Sequence, residues 1–239
     1  MNIVGIVVAM RIEARCLTNR HLPIGEIINL GNSSKICLCG MGGNSARKAA
    51  IKLQEEGATS LISFGVSGAL DSKLHPGDLI LPQSIYNERL LPVSLAWRDR
   101  VQECLPSNLR VIDGKLATSK KVLTSSNEKR DFARITGASA VDLESGAVAE
   151  VAEDSDTPFL AIRAISDPIE FSPPLALLDA VGPDGKANLS RIISLLLQRS
   201  VTLGTLLRLG RDVRTARATL STVALHAGIE LGTQSTITH

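Results

Sequence analysis

One continuous apolar run constrains the fold more than any other part of the chain. Residues 158–165 are long enough for a central strand, and the run stops at Ser166-Asp167-Pro168, where proline removes a donor from the strand ladder. A buried strand of this kind indicates an α/β fold, and α/β folds build their sites at strand ends. Asp167 is therefore expected to face a crevice.

A second carboxylate follows another predicted strand. Residues 139–141 are small and apolar, and the Ala- and Val-rich residues 145–152 predict a helix after a tight turn. Glu144 then lies at the start of that helix. Either acid alone is typical of a helix N-terminus or a turn, whereas Glu144 and Asp167 together favour a functional site.

Strand and helix patterns alternate along the N-terminal half. Strands are predicted at 3–9, 26–30, 35–39, 60–64 and 78–82, and helices at 12–19 and 45–56. Ser125 and Glu128 have capping-box spacing and open a further helix. This order predicts βαβ units with an inserted hairpin, in a sheet of at least six strands.

Composition limits the class of protein. The 239 residues, 44% of them hydrophobic, suffice for one sizeable core. We expect one catalytic domain over residues 1–185 and a helical extension over 186–239 packed on it. A net charge of +2, without a basic cluster interleaved with aromatics, argues against a nucleic-acid partner.

Cysteine spacing and hydropathy give two further expectations. Cys16, Cys37, Cys39 and Cys104 form no CxxC pair and no zinc-like spacing, which indicates reduced core residues of a cytoplasmic protein. The apolar residues 3–8 are too few for a signal peptide or a membrane span.

Two glycine-rich segments follow predicted strands. Residues 40–45 and 65–69 are expected to be turns that allow the backbone to approach an anion or a sugar closely. Neither is a nucleotide fingerprint on its own, because the first lacks the lysine of a P-loop and the second lacks the third glycine of a dinucleotide turn.

Taken in order, several motifs resemble the nucleoside phosphorylase superfamily, and within it the 5′-methylthioadenosine/S-adenosylhomocysteine nucleosidases. The similar segments are residues 8–10 with Glu13, 40–45, 64–70, 76–80, 141–144 and 163–167. The resemblance implies a three-layer αβα sandwich around a mixed, partly barrelled sheet. It also implies cleavage of the N-glycosidic bond of purine nucleosides, no metal or organic cofactor, and a homo-oligomer in which a neighbouring subunit completes the pocket.

The resemblance assigns roles that the chemistry of ribosyl transfer also requires, since a cationic sugar and a departing purine must both be stabilised. Asp167, helped by Ser166, is similar to the general acid that serves purine N7, which needs a carboxyl pKa raised by a dry pocket. Glu144, with the Leu143 backbone, is similar to the clamp on the ribose hydroxyls.

The same resemblance assigns the nucleophile's neighbours. Glu13, expected to be exposed after the first strand, matches the carboxylate that activates water, and Ser67 and the Gly68 amide match groups that orient the nucleophile. Phosphate remains an alternative to water, because Arg11 and Arg15 flank Glu13 and the turn at 40–44 offers amides.

Two segments depart from the nucleosidase pattern. Residues 122–126 offer no aromatic to stack on adenine, and Phe171 opens an apolar insertion at 171–178 that is expected to line the 5′ side of the site. Residues 189–220 are expected to form a leucine-rich helical hairpin with Arg208, Arg211, Arg214 and Arg217 along one stripe.

The hairpin has two interpretations. Its leucines pack on the domain or on a second subunit, or the segment contacts a lipid surface. The second option resembles the hopanoid-associated phosphorylase subgroup, which implies a bulky apolar substrate such as adenosylhopane. A small-nucleoside enzyme and a non-catalytic nucleoside-binding protein are the remaining alternatives.

Overall fold

The computed structural model describes residues 2–171, 177, 180, 182, 185, 188, 192, 194–196, 198 and 201–233. Within them, eleven strands form one sheet: β1 (Val4–Val8), β2 (Ile27–Asn29), β3 (Ser34–Leu38), β4 (Ser60–Ala69), β5 (Leu79–Ile80), β6 (Ser84–Asn87), β7 (Arg89–Pro92), β8 (Val111–Ile112), β9 (Lys115–Thr118), β10 (Ala140–Asp142) and β11 (Phe159–Asp167). Six helices are α1 (Arg11–Ala14), α2 (Gly43–Glu55), α3 (Leu95–Glu103), α4 (Ser126–Thr136), α5 (Ser145–Asp154) and α6 (Leu203–His226).

Strand β4 is the centre of the sheet. It pairs in parallel with β1 and β11 and antiparallel with β10. From these pairings the sheet extends through β3 and β2 on one side, through β9, β6 and β7 on another, and through β5 and β8 beyond β11. The predicted α/β class with a mixed sheet and a C-terminal helix is confirmed.

The predicted turn at residues 65–69 is wrong, because these residues continue β4. Gly65 pairs with Arg163 and Ser67 with Ile165 on β11, while Gly68 pairs with Val141 on β10. The backbone groups of this glycine-rich stretch therefore have strand partners, which outweighs the low strand propensity of glycine.

Helix α1 is shorter than predicted. It covers Arg11–Ala14 rather than 12–19. After Ala14 the chain turns, and the Thr18 side chain accepts a hydrogen bond from the Arg20 amide at 3.1 Å. A threonine hydroxyl that binds a nearby amide in this way competes with helical hydrogen bonding.

The two strand-end carboxylates lie where the sequence predicts. Strand β10 ends at Asp142, and Glu144 is the N-cap of α5. Strand β11 ends at Asp167, directly before Pro168. The N-cap of α4 is also confirmed, since Ser125 Oγ accepts from the Glu128 amide at 3.2 Å. The Glu128 carboxylate, however, accepts from the Thr124 amide at 2.7 Å rather than returning to Ser125.

Helices cover the sheet and position its strand ends. Helix α2 packs against α5, and both contact the strands beside them, while α6 packs on β11 and reaches α1.

Cys37 and Cys39 lie in the core as predicted, with burial raising the pKa of the Cys37 thiol to about 11. Cys104 is exposed, against the prediction, because it caps the end of α3 rather than lying in the sheet. In the described part of the chain, no helix has the length and apolarity needed to cross a bilayer.

Gly65→Ala should destabilise the protein. The added Cβ atom would lie 2.6 Å from Arg163 Nη1 and would also collide with the Glu13 carboxylate, two buried groups that cannot shift without losing hydrogen bonds. We expect urea unfolding to show a loss of about 1–3 kcal/mol, as for other overpacked cores.

Gly210→Ala is the matched control, since nothing lies within 4 Å of a Cβ atom added at this helical position. It should raise stability by up to about 1 kcal/mol. A Gly65→Ala variant as stable as the parent would contradict the close packing described for β4.

Candidate active site

The buried guanidinium of Arg163 organises the interior end of the site. Arg163 lies in β11 and is 2% exposed. Its Nε donates to Asp142 Oδ2 at 2.8 Å, and its Nη2 donates to Ser63 Oγ at 2.7 Å and lies 3.9 Å from Glu144 Oε2. Arg163 was not among the residues predicted for the site, although a lone charge inside an apolar strand requires buried partners.

Glu144 is held by backbone amides beside this cluster. Its Oε1 accepts from the Gly42 amide at 2.7 Å, and its Oε2 from the Leu143 amide at 3.3 Å. The turn at 40–45 thus brings its backbone close to an anion, and that anion is a carboxylate of this chain. Burial, followed by the charge of Asp142, raises the pKa of Glu144 to about 7 against the opposing effects of Arg163 and the Gly42 amide.

Glu13 is buried, so its predicted exposure is wrong. It is 2% exposed, because α1 turns the side chain back toward the sheet. Three amides donate to the carboxylate: those of Ala9 at 3.0 Å and Met10 at 2.8 Å to Oε2, and that of Val66 at 2.9 Å to Oε1. Burial raises the pKa of Glu13, while Arg163 and these amides oppose the rise.

Ser67, Gly68, Ser166 and Asp167 meet where β4 and β11 end. The single O–H of Ser166 has two acceptors within reach, Asp167 Oδ1 at 2.9 Å and the more distant Ser67 carbonyl at 3.3 Å. A Cβ atom on Gly68 would lie 3.0 Å from Asp167 Oδ2, so glycine leaves room for the carboxylate. Among the described residues, the buried Ser67 Oγ has no hydrogen-bond partner.

Asp167 has a charged partner that the sequence analysis missed. The ammonium of Lys129, on α4, donates to Asp167 Oδ2 at 2.5 Å. It also donates to the carbonyls of Pro168 and Phe171, each at 2.9 Å. Lys129 is a buried residue of α4, and no motif in the sequence marks it as a partner of Asp167.

Phe171, which follows β11, contacts α6. The Arg208 guanidinium lies 4.4 Å from the centre of the Phe171 ring, a cation–π distance. Arg208 and Arg211 both approach the buried Asp212, at 3.7 and 3.1 Å. Apart from Leu177, the predicted apolar insertion after Phe171 lies largely outside the described residues, as does much of the first arm of the predicted hairpin.

Residues 122–126, which offer no aromatic, contribute Leu123 to a small apolar cluster. Leu123 is buried with Leu70 and Val141, and the aromatic side chains of Tyr86 and Phe132 pack against this cluster. No group of acidic, histidine and cysteine side chains suited to a metal ion occurs within the described ranges. The polar groups that meet at these strand ends are carboxylates, one arginine, one lysine, serine hydroxyls and backbone amides.

Comparison with known proteins assigns the family. The sequence profile of the phosphorylase superfamily matches residues 20–198, and the chain belongs to this superfamily. It is 27% identical over 195 residues to the 5′-methylthioadenosine/S-adenosylhomocysteine nucleosidase of Buchnera aphidicola subsp. Baizongia pistaciae, covering 69% of this chain and 77% of the relative. The nucleosidase of the same description from Treponema pallidum is 24% identical over 185 residues, 59% of this chain and 69% of its own.

Solved structures share the fold. The Neisseria meningitidis 5′-methylthioadenosine/S-adenosylhomocysteine nucleosidase, in complex with methylthio-immucillin-A, superposes with a TM-score of 0.70 at 17% identity, covering 98% of this chain and 99% of that one. Futalosine hydrolase of Helicobacter pylori gives 0.65 at 18% identity, with 93% and 97% covered.

Titration of Glu144 should make stability depend on pH. Its pKa rises from an ordinary 4.5 to about 7 in the folded protein, so between these pH values the folded state holds a proton that the unfolded chain has released. Stability from this group is therefore lost as pH rises through that window. Relative to Glu144→Gln, the parent should lose about 1–3 kcal/mol of unfolding free energy between pH 4.5 and pH 7.

Urea unfolding at several pH values measures this difference. Glu55→Gln, an exposed change on α2, should leave the parent's pH dependence unaltered. Parallel stability curves for the parent and Glu144→Gln would show that Glu144 is not protonated in the folded protein near neutral pH.

Proposed function

We propose that the protein is a nucleosidase that cleaves the N-glycosidic bond of an adenosine derivative with water. The observation that carries this proposal is the convergence of buried Glu13 and Glu144 on Arg163, with Asp167 at the neighbouring strand end. The nucleosidases related to this chain support the same reaction class.

The proposed reaction divides the work among three carboxylates. Glu13 takes a proton from a water molecule, and the water oxygen attacks C1′ of the ribose as the bond from C1′ to N9 breaks. The bonding electron pair goes to the purine, and Asp167 gives a proton to N7. Glu144 binds the ribose hydroxyls, and the negative charges around the sugar stabilise its cationic transition state. Ser67, with its unpartnered hydroxyl, and the Gly68 amide are proposed to orient the water.

The surroundings of Glu13 favour water over phosphate. The Arg11 guanidinium donates to the Leu22 carbonyl at 3.1 Å. Arg11 and Arg15 line a separate cavity, to which Glu13, Glu144 and Asp167 do not contribute. The Gly42 amide already binds Glu144. Arg11, Arg15 and the Gly42 amide, three of the predicted phosphate ligands, are therefore engaged or directed elsewhere. A phosphate beside Arg163 would be repelled by the Glu13 and Glu144 carboxylates.

Glu13→Gln should slow adenine release by about 100-fold or more, the scale of a lost general base. The parent should release adenine and a free sugar at the same rate with and without phosphate. Glu26→Gln, an exposed change outside the site, is the matched control and should retain full activity.

Adenine release and sugar products are measured by liquid chromatography with 5′-methylthioadenosine as substrate. A sugar 1-phosphate that forms only in phosphate buffer would make the protein a phosphorylase. Full activity of Glu13→Gln would remove Glu13 from the reaction.

For the 5′ substituent, we propose a bulky apolar group, with adenosylhopane as the candidate. The apolar cluster at Leu123 and the Phe171 ring beneath Arg208 support an apolar pocket. Leu203 and Leu207 are exposed on α6, next to Arg211, which supports a role of this helix at a lipid surface. A small substrate such as 5′-methylthioadenosine is the alternative.

Three further predictions remain predictions: homo-oligomerisation, a cytoplasmic location and the domain boundary at 185/186.

The lipid interpretation predicts weak, salt-sensitive binding to anionic vesicles, because the Debye length falls from about 10 Å at 0.1 M salt to about 3 Å at 1 M. Replacing Arg211, Arg214 and Arg217 with Gln should abolish binding in a sedimentation assay while 5′-methylthioadenosine cleavage is retained. Arg208 is spared because it contacts Phe171.

A variant with Arg89, Arg130 and Arg134 changed to Gln removes the same charge from exposed positions outside α6 and should still bind. Equal vesicle binding by both triple variants would exclude α6 as the lipid-binding surface.

A further inference from the structure

Lys129 is a buried ammonium whose hydrogen bonds all stay within the protein. Its side chain is 1% exposed. The three acceptors are Asp167 Oδ2 at 2.5 Å and the carbonyls of Pro168 and Phe171 at 2.9 Å. A lysine ammonium has three N–H donors, so none is left for a substrate. Whatever Lys129 does for the reaction, it does through these partners.

The charge of Lys129 needs an explanation beyond packing. Phe132 and Ala133, one turn further along α4, pack on an apolar cluster that includes Leu70 and Val141, so this face of the helix also makes apolar contacts. Burying a charge is unfavourable unless it is paired, and a buried pair often contributes no net stability over apolar residues of the same volume. The position of the charge, directly against the proposed acid, is therefore the informative feature.

The two oxygens of Asp167 have different partners. Oδ2 accepts from Lys129, and Oδ1 accepts from Ser166 Oγ at 2.9 Å. A Cβ atom on Gly68 would lie only 3.0 Å from Oδ2, closer than an ordinary contact, so the glycine leaves room for the carboxylate. The carboxyl group is thus held at both oxygens and lies close against the Gly68 backbone.

We propose that Lys129 is the positioning residue of the acid that serves the leaving purine. It holds the Asp167 carboxyl group in one orientation, and it stabilises the negative charge that Asp167 acquires. In the step, the O–H bond of Asp167 breaks and an N–H bond forms at N7, while the electron pair of the bond from C1′ to N9 goes to the purine. Asp167 is left as a carboxylate beside the ammonium, and solvent returns its proton after the purine departs. This inference rests on the proposed function.

A second consequence follows from the two carbonyl contacts. The same ammonium that orients Asp167 also fixes the main chain of Pro168 and Phe171. The Phe171 ring in turn lies against Arg208 of α6. Lys129 thereby fixes Asp167 relative to Phe171, the first residue of the segment proposed to line the 5′ side of the site.

Lys129→Met tests the inference, because methionine has a similar shape but neither charge nor donors. With 5′-methylthioadenosine as the probe, kcat should fall about 10- to 100-fold, while KM changes less than about threefold. Asp167→Asn should lower kcat about 100-fold or more. The double variant should have a kcat no lower than that of Asp167→Asn, because the effect of Lys129 on kcat passes through Asp167.

Controls separate this role from a general loss of structure. Lys121→Met removes an exposed lysine that pairs with Glu128 and should keep the parent's kcat. Thermal unfolding shows whether each variant is folded at the assay temperature. If Lys129→Met does not fold, Lys129→Gln retains donors for the carbonyls and should show the same loss of kcat without the charge.

Activity of the parent protein tests the proposed function, whereas the kcat values of the Lys129 variants test the positioning role. A parent protein that releases adenine neither from 5′-methylthioadenosine nor from an adenosine with a bulky apolar 5′ group contradicts the proposed function itself. If the parent is active, unchanged kcat in folded Lys129→Met or Lys129→Gln overturns the positioning role. Losses from Lys129→Met and Asp167→Asn that multiply in the double variant would also overturn it, because they would show that the two residues act independently.

Discussion

The guanidinium of Arg163 lies inside the sheet, where water cannot solvate it, and its hydrogen bonds and ion pairs determine how the rest of the site is arranged. Asp142 and Ser63 take two of its N–H groups, and Glu144 lies within ion-pair distance. Removing one member of such a buried group typically costs about 3–5 kcal/mol, because the remaining charges lose their partner. The cluster therefore ties β4, β10 and β11 together at the point where the site forms.

This arrangement also gives the carboxylates their chemical character. Burial raises the pKa of Glu13 and Glu144, and Arg163 limits the rise in both. A carboxylate whose pKa lies nearer neutrality is a better base for water than one on the surface. At the neighbouring strand end, Asp167 has its own cation, Lys129. The site thus holds two acid–cation groups, and we propose that one serves the water and the sugar and the other the purine.

Local sequence patterns were enough to predict the strand ends and the positions of Glu144 and Asp167. Apolar runs, a capping serine and a proline are short-range signals, and they correctly placed β10, β11 and the start of α5. The burial of Glu13 was missed because it depends on the amide of Val66, more than fifty residues away. Residues 65–69 were assigned to a turn for the same reason, since their partners lie on distant strands. Arg163 and Lys129 were missed because only tertiary structure shows which carboxylates they meet.

The central claim is that this buried group of carboxylates directs water to the sugar. Cleavage of 5′-methylthioadenosine in water enriched in oxygen-18, followed by mass spectrometry of both products after a single turnover, tests it most directly. We expect one heavy oxygen in the sugar, at the carbon that held adenine, and none in the adenine. An unlabelled sugar product, a sugar 1-phosphate, or intact substrate after prolonged incubation would contradict it.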